Sequence, residues 1–194
     1  MIEKENITGI ILSGGKSSRM GSDKAMLKLN GLTFIECIIN AMKPIVSKIM
    51  IVSDFDNHNY FGCQKVEDSL KDAGPLSGLY SGLKNSTTQF NLVLSCDIPL
   101  IKIEVLRKLV ESDYQNFDVT QIQSDKKSMP LIAIYKKDCM TKCLELLEQN
   151  ERRLRVAVAQ FKTKSIDIDS SLNQYVKNVN TKEDLIALNH EIEY

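Results

Sequence analysis

The residues best placed to do chemistry are a run of glycines, hydroxyls and cations, LSGGKSSRMGSDK at residues 12–24, and two aspartates, Asp68 and Asp97, that close apolar runs further along. Glycines after a buried strand let backbone N–H groups approach an anion closely and tolerate unusual dihedral angles. Arg19 and Lys24 add positive charge, and an arginine fork suits phosphate oxygens. A carboxylate such as Asp97 at the mouth of a sheet is costly to bury alone. Mg²⁺, which takes carboxylate and phosphate oxygens together, is a natural partner for it. The shared chemistry is the handling of a polyphosphate beside a divalent cation. Two plainer readings stand next to it: a glycine turn leading into a solvated charged loop, and an aspartate that caps the helix beginning with the residues KIEVLRKLV.

Spacing excludes two common phosphate cradles. A P-loop needs a glycine five positions before the Gly of its G-K-[ST], and five before Gly15 stands Ile10. A dinucleotide fingerprint needs G-x-G-x-x-G, whereas Gly14 and Gly15 are adjacent and the next glycine is Gly21. Basic and acidic residues balance at 25 each, which leaves no general electrostatic footprint for nucleic acid or an anionic membrane. Any polyanion must therefore be held by a local site.

No apolar run is long enough to span a bilayer, and the opening MIEKENITGI lacks a signal-peptide core, so a cytoplasmic location is expected. Five cysteines without paired spacing suit a reducing compartment. Cys139 and Cys143, four apart, read as packing residues on one helix face. With His58 and His190 as the only histidines, a zinc site is not expected.

These groups need a scaffold. A chain of 194 residues, 43% of them hydrophobic, can bury one good core, so one domain over residues 1–194 is expected. Apolar runs at 7–12, 48–53, 90–96 and 130–135 read as strands, with weaker ones at 63–68, 119–123 and 165–169. Three of them are nearly continuous in apolar residues, as in strands buried on both faces. Helical periodicity lies between: Ile35, Ile38, Met42 and Ile45 form one stripe, and residues 103–113 and 138–150 read the same way. Gly74-Pro75 suits a helix start, and Gly78 and Gly82 fall on one face of that helix, where they permit close approach. Thr181 and Asp184 suggest a capping box for a last helix. Strands alternating with helices predict an α/β domain, Rossmann-like, with a mostly parallel sheet flanked by helices on both faces. Ligands of such sheets sit outside the carboxyl ends of the strands. That gathers the loop after Leu12, Ser53, the loop after Asp68 and Asp97 around one crevice.

The stretch from Leu12 through Ser13, Gly14, Gly15, Ser17, Arg19, Met20, Gly21 and Asp23 to Lys24 matches without a gap the nucleotidyltransferase signature L-[AS]-G-G-x-S-x-R-M-G-x-D-K. Together with EDSLKDAGPLSGL, CDIPL, NERRL and NVNTKEDL, in order along nearly the whole chain, it resembles the molybdenum cofactor guanylyltransferases of the MobA family. The resemblance implies an enzyme that transfers GMP from GTP to the terminal phosphate of the molybdopterin cofactor. It implies an N-terminal half that binds the nucleotide, through Leu12, Ser13, Gly14, Gly15, Lys24, Ser53, Asp68, Gly78 and Asp97. Arg19, Lys24 and Asp97 would serve catalysis, with Mg²⁺ on Asp97. The C-terminal half would receive the pterin, with Arg152, Arg153, Asn178 and Asn180 as candidates; a charged helix start and loop residues before Thr181 are the plainer reading of those four. Partners implied are the two small-molecule substrates and transient contact with molybdoenzymes or their chaperones, but no nucleic acid and no membrane.

The chain departs from the family in two places. Met129-Pro130 stands where members often carry His-Pro, and Ser53 where Asn is common. The same chemistry on another substrate remains open, as a molybdopterin cytidylyltransferase or a sugar-phosphate nucleotidyltransferase, and so does a non-catalytic carrier of nucleotide or pterin.

Overall fold

The computed structural model describes residues 6–14, 24–55, 61–70, 73–181 and 183–186. In chain order its elements begin with β1 (Ile7–Leu12), a short hairpin of β2 (Lys28–Leu29) and β3 (Leu32–Thr33), α1 (Phe34–Met42), β4 (Lys48–Val52), β5 (Gln64–Val66) and α2 (Gly74–Asn85). They continue with β6 (Phe90–Ser95), α3 (Ile103–Val110), β7 (Val119–Ser124), β8 (Lys127–Lys136), α4 (Cys139–Glu148), α5 (Leu154–Val158) and β9 (Thr163–Asp167). All seven expected strands form, and they make one sheet in the order β5-β4-β1-β6-β8-β7-β9. β5, β4, β1 and β6 are parallel, β9 is parallel to β7, and only β8 runs against its two neighbours.

The continuous apolar runs are explained by layers on both sides. Every residue of β1 is buried. Ile7 and Ile11 pack with Ile51, Leu92 and Leu94 against α1 and α3, while Ile10 and Leu12 pack with Met50, Val52 and Val93 against α2, α4 and α5. The expected stripe Ile35, Ile38, Met42 and Ile45 is buried on the first of these faces. α1 starts at a capping box, in which the Thr33 hydroxyl accepts from Glu36 N at 3.3 Å and the Glu36 carboxylate accepts from Thr33 N at 2.7 Å. Cys139 and Cys143 lie in the second core, where burial pushes both thiols up to about 12, as befits packing residues.

Two details differ from the sequence reading. Of Gly78 and Gly82, expected on one face of α2, only Gly82 is required by packing: a Cβ there would lie 2.7 Å from Ile10 Cγ2, whereas at Gly78 it would make an ordinary 3.5 Å contact with Leu12 Cδ2. Secondly, β8 extends to both sides of the expected 130–135. Its N-terminal part pairs with β7 through a tight turn, with Asp125 and Lys126 both at positive φ. Pro130, which would demote an ordinary central strand, is accommodated because the β7–β8 register jumps between Gln121 opposite Ala133 and Ile122 opposite Met129. The buried Tyr135 hydroxyl donates to the Pro130 carbonyl at 2.7 Å and braces this bulge.

Candidate active site

Parallel register brings three strand ends to one level, since Leu12 pairs with both Val52 and Ser95. All three line a cavity of about 260 Å³, completed by Gly14, Asp54, Phe55, Asp68, the start of α2 from Ala73 to Pro75, Gly78 and Leu131. The loop leaving β1 is anchored to the sheet: Ser13 N donates to Val52 O at 2.9 Å and Cys96 N to Leu12 O at 3.0 Å. Gly14 is exposed, and a Cβ there would meet nothing within 4 Å among the described residues. Packing among the described residues thus makes no demand for this glycine, and a glycine lets the backbone approach a ligand closely. Gly15 and Arg19 lie outside the described residues.

Asp68 is held by the small residues of α2. Its Oδ1 accepts from the Ser77 hydroxyl, from Ser81 Oγ at 3.1 Å and from Leu70 N at 3.3 Å. Its Oδ2 lies on the Gly78 side, 4.0 Å from where a Cβ of that residue would stand. One oxygen fixes the carboxylate and the other faces the cavity wall. Ser53 has a different place from the one expected. It is fully buried, its hydroxyl accepts from Phe55 N at 3.0 Å, and its neighbours Asp54 and Phe55 line the cavity instead. Nothing in residue type singled out those two, because a loop's path after a strand is set by its turn.

A second cavity of about 840 Å³ opens beside the first and shares Pro75 and Leu131 with it. Its floor is apolar, with Ile98, Met129, Leu131, Ile132, Leu154 and Val176, and Lys127, Arg153, Arg155 and Lys177 stand among its lining. Met129, where relatives of the resembled family often have His, thus contributes apolar wall. The β7–β8 turn on this rim is pinned by Asn173, whose Oδ1 accepts from Ser124 Oγ and whose Nδ2 donates to Asp125 Oδ1, both at 2.8 Å. Leu131 and the rim came from no sequence signal, since only the bulge of β8 turns them inward.

The four C-terminal candidates separate. Arg153 lines the large cavity, with its guanidinium paired to Glu151 at 2.9 and 2.6 Å. Arg152 lines neither cavity; it donates to Leu147 O at 2.8 Å and Asn150 Oδ1 at 3.3 Å, at the end of α4. Asn178 lines the large cavity and donates from Nδ2 to Asp97 Oδ2 at 3.0 Å. Asn180 accepts from Lys24 Nζ at 2.9 Å.

Asp97 follows Ser95 of the small cavity and precedes Ile98 of the large one. It does not cap α3, whose N-cap Lys102 receives no side-chain bond. Its Oδ1 is buried with no hydrogen-bond partner among the described residues. A buried, unengaged carboxylate oxygen suits a hard cation that completes its shell from phosphate and water. Among the described residues there is no cluster of three His, Cys, Asp or Glu that could hold a metal.

A glycine loop leaving a buried strand and a crevice lined by Asp54 and Asp68 at the carboxyl ends of parallel strands fit a nucleotidyltransferase. The chain belongs to the family of MobA-like NTP transferase domains, whose model matches residues 9–164. A probable molybdenum cofactor guanylyltransferase of Flavobacterium johnsoniae is 37% identical over 185 residues, 95% of this chain and 97% of the relative. A second probable molybdenum cofactor guanylyltransferase, of Carboxydothermus hydrogenoformans, is 30% identical over 98% of this chain and 94% of its own. The crystal structure of molybdopterin-guanine dinucleotide biosynthesis protein A from Archaeoglobus fulgidus superposes with a TM-score of 0.81 at 21% identity, covering 96% of this chain and 98% of the other. The fold is thus the one expected. Among the described residues no helix is long and apolar enough to cross a membrane.

Proposed function

We propose that the protein transfers GMP from GTP to the terminal phosphate of the molybdopterin cofactor, giving molybdopterin guanine dinucleotide and pyrophosphate. The observation that carries this reading is the pair of cavities meeting at Pro75 and Leu131, with Asp97 in the chain turn that leads from Ser95 of one to Ile98 of the other. The N-terminal half takes the nucleotide. Leu12, Ser13, Gly14 and Gly15 wrap the triphosphate, Gly78 leaves room beside it, and Asp68 offers a carboxylate to the N–H donors of guanine. The buried Ser53 supports the loop that carries Asp54 and Phe55. The C-terminal half takes the acceptor. Its apolar floor suits a flat heterocycle, and Arg153 with Lys127, Arg155 and Lys177 suits the acceptor's negative charge. Arg152 acts indirectly, by holding the end of α4 on which Arg153 depends.

The acceptor phosphate is already ionised near neutral pH, its second pKa lying at about 6 by analogy with phosphate monoesters. No general base is needed. A phosphate oxygen forms a bond to the α-phosphorus, the bond to the β-phosphate oxygen breaks, and pyrophosphate leaves with that electron pair. Asp97 would hold Mg²⁺ through its unpartnered Oδ1, and the ion would supply neutralisation of phosphate charge. Lys24 and Arg19 neutralise the departing pyrophosphate. These residues supply positioning and charge stabilisation. The protein works in the cytoplasm and meets molybdoenzymes or their chaperones transiently when the product is handed on.

The test is pyrophosphate release with GTP, CTP, ATP and UTP, each with and without molybdopterin and Mg²⁺. Release with GTP that depends on both additions is expected. Preference for CTP would favour a cytidylyltransferase, and tight GTP binding without release a carrier.

A further inference from the structure

The segment from Asn178 to Asn180 has no regular secondary structure, and its side chains alternate in their surroundings. Val179 is 3% exposed and packs with Leu29 and Phe34, while Asn178 and Asn180 reach Asp97 and Lys24. Backbone bonds fix the segment at both ends. Val179 N donates to Asp97 O at 2.8 Å, and Asp184 Oδ2 accepts from Asn180 N at 2.7 Å and Thr181 N at 2.9 Å. Lys24 and Asp97 lie on separate loops of the N-terminal half, and this strap from the C-terminal end spans them.

We infer that Asn178 and Asn180 are positioning residues: Asn178 orients Asp97 for the metal and Asn180 holds Lys24 for the phosphates, in place of the pterin contacts that the resemblance implies for them. The chemistry of a carboxamide suits both tasks. Its N–H₂ fixes Oδ2 of Asp97 without bringing a positive charge that would repel a cation, and leaves the buried Oδ1 for the metal. Its oxygen holds the Lys24 ammonium without itself bringing an opposite charge; the Asp184 carboxylate, which feels that ammonium, is engaged by the Asn180 and Thr181 N–H groups. Outer partners of this kind commonly change metal affinity by about 10–100-fold when removed.

The proposal rests on the nucleotidyl-transfer reading, and its test can be read before any acceptor is added. Mn²⁺ binding to the protein with GTP is followed by electron paramagnetic resonance for wild type, Asn178→Ala and Asn180→Ala. Asn178→Ala is expected to weaken Mn²⁺ about 10–100-fold, and Asn180→Ala to leave it near wild type. In pyrophosphate release with molybdopterin, Asn180→Ala is expected to slow turnover, by up to about 10²-fold. The double variant Lys24→Ala/Asn180→Ala should be no slower than Lys24→Ala, because the two act as one unit. A merely structural role would depress metal binding and turnover alike in both variants, together with the melting temperature, and would overturn the proposal. So would a rise in the KM for molybdopterin with Mn²⁺ binding and GTP turnover unchanged. Wild-type protein that bound no GTP would instead sink the guanylyl-transfer reading, whereas wild type that binds it beside variants with unaltered Mn²⁺ affinity and rate would sink only the positioning roles.

Discussion

Lys24 Nζ donates to Asn180 Oδ1 at 2.9 Å, joining two residues 156 positions apart in the chain. The bond sets the ammonium on a short 3₁₀ turn, Lys24–Met26, that leads into the Asn30-Gly31 hairpin and α1. Replacing Lys24 by Ala removes charge at the developing pyrophosphate. A fall in kcat of about 10²–10³-fold is expected, with weaker GTP binding. Steady-state kinetics check this, and unchanged values would remove Lys24 from the site.

Asp97→Ala should leave the circular dichroism spectrum intact and abolish Mg²⁺-dependent turnover. The structural reason is that Oδ1 has no partner among the described residues and Oδ2 accepts a single bond there, from the exposed Asn178 carboxamide, so little of the fold rests on the side chain. Retained activity with normal Mg²⁺ dependence would rule out the metal role.

Asp68→Asn separates fold from specificity. The carboxamide oxygen can still accept from Ser77 and Ser81, so the melting temperature should stay close to wild type. On the cavity side, however, an acceptor becomes a donor that opposes the guanine N–H groups. The preference for GTP over ATP should fall by a factor of about 10–100, the worth of a hydrogen bond to a charged group. Competition assays between the two nucleotides read the ratio.

Gly78 and Gly82 of α2 should respond in opposite ways to alanine. Gly82→Ala drives a methyl to 2.7 Å from Ile10 Cγ2 in the core, an overpacking that costs about 1–3 kcal/mol. Gly78→Ala meets only ordinary contacts, so stability should hardly change while the methyl beside Leu12 and Asp68 narrows the nucleotide cavity. Calorimetric unfolding and GTP affinity, measured on both variants, should show this crossed pattern.

Acid stability should depend on Glu151. The Arg153 guanidinium, and the backbone N–H groups of Arg153 and Arg152, hold its carboxyl at about 2 against an ordinary 4.5. A depressed carboxyl stabilises the folded state fully above pH 4.5 and loses that contribution as the pH falls toward 2. Urea unfolding of wild type and Glu151→Gln should therefore differ most near neutrality and converge in acid. A constant difference down to about pH 2 would contradict the assignment.

The residue order alone determined the layered α/β fold, because buried parallel strands must be apolar on both faces and the helices between them must carry one apolar stripe. It also marked Asp68 and Asp97, since a carboxylate ending such a strand is conspicuous. Tertiary structure alone decided the rest. Leu131 and Pro130 enter the site through a register jump that sequence periodicity does not show. Ser53 turns its hydroxyl to its own loop, and Arg152 turns to the end of α4. Asn178 and Asn180 looked alike as two asparagines of one motif, yet one meets a carboxylate and the other an ammonium. Periodicity records which face of an element is buried; which partner each polar group meets depends on how distant elements pack, and that is written in no single stretch of the chain.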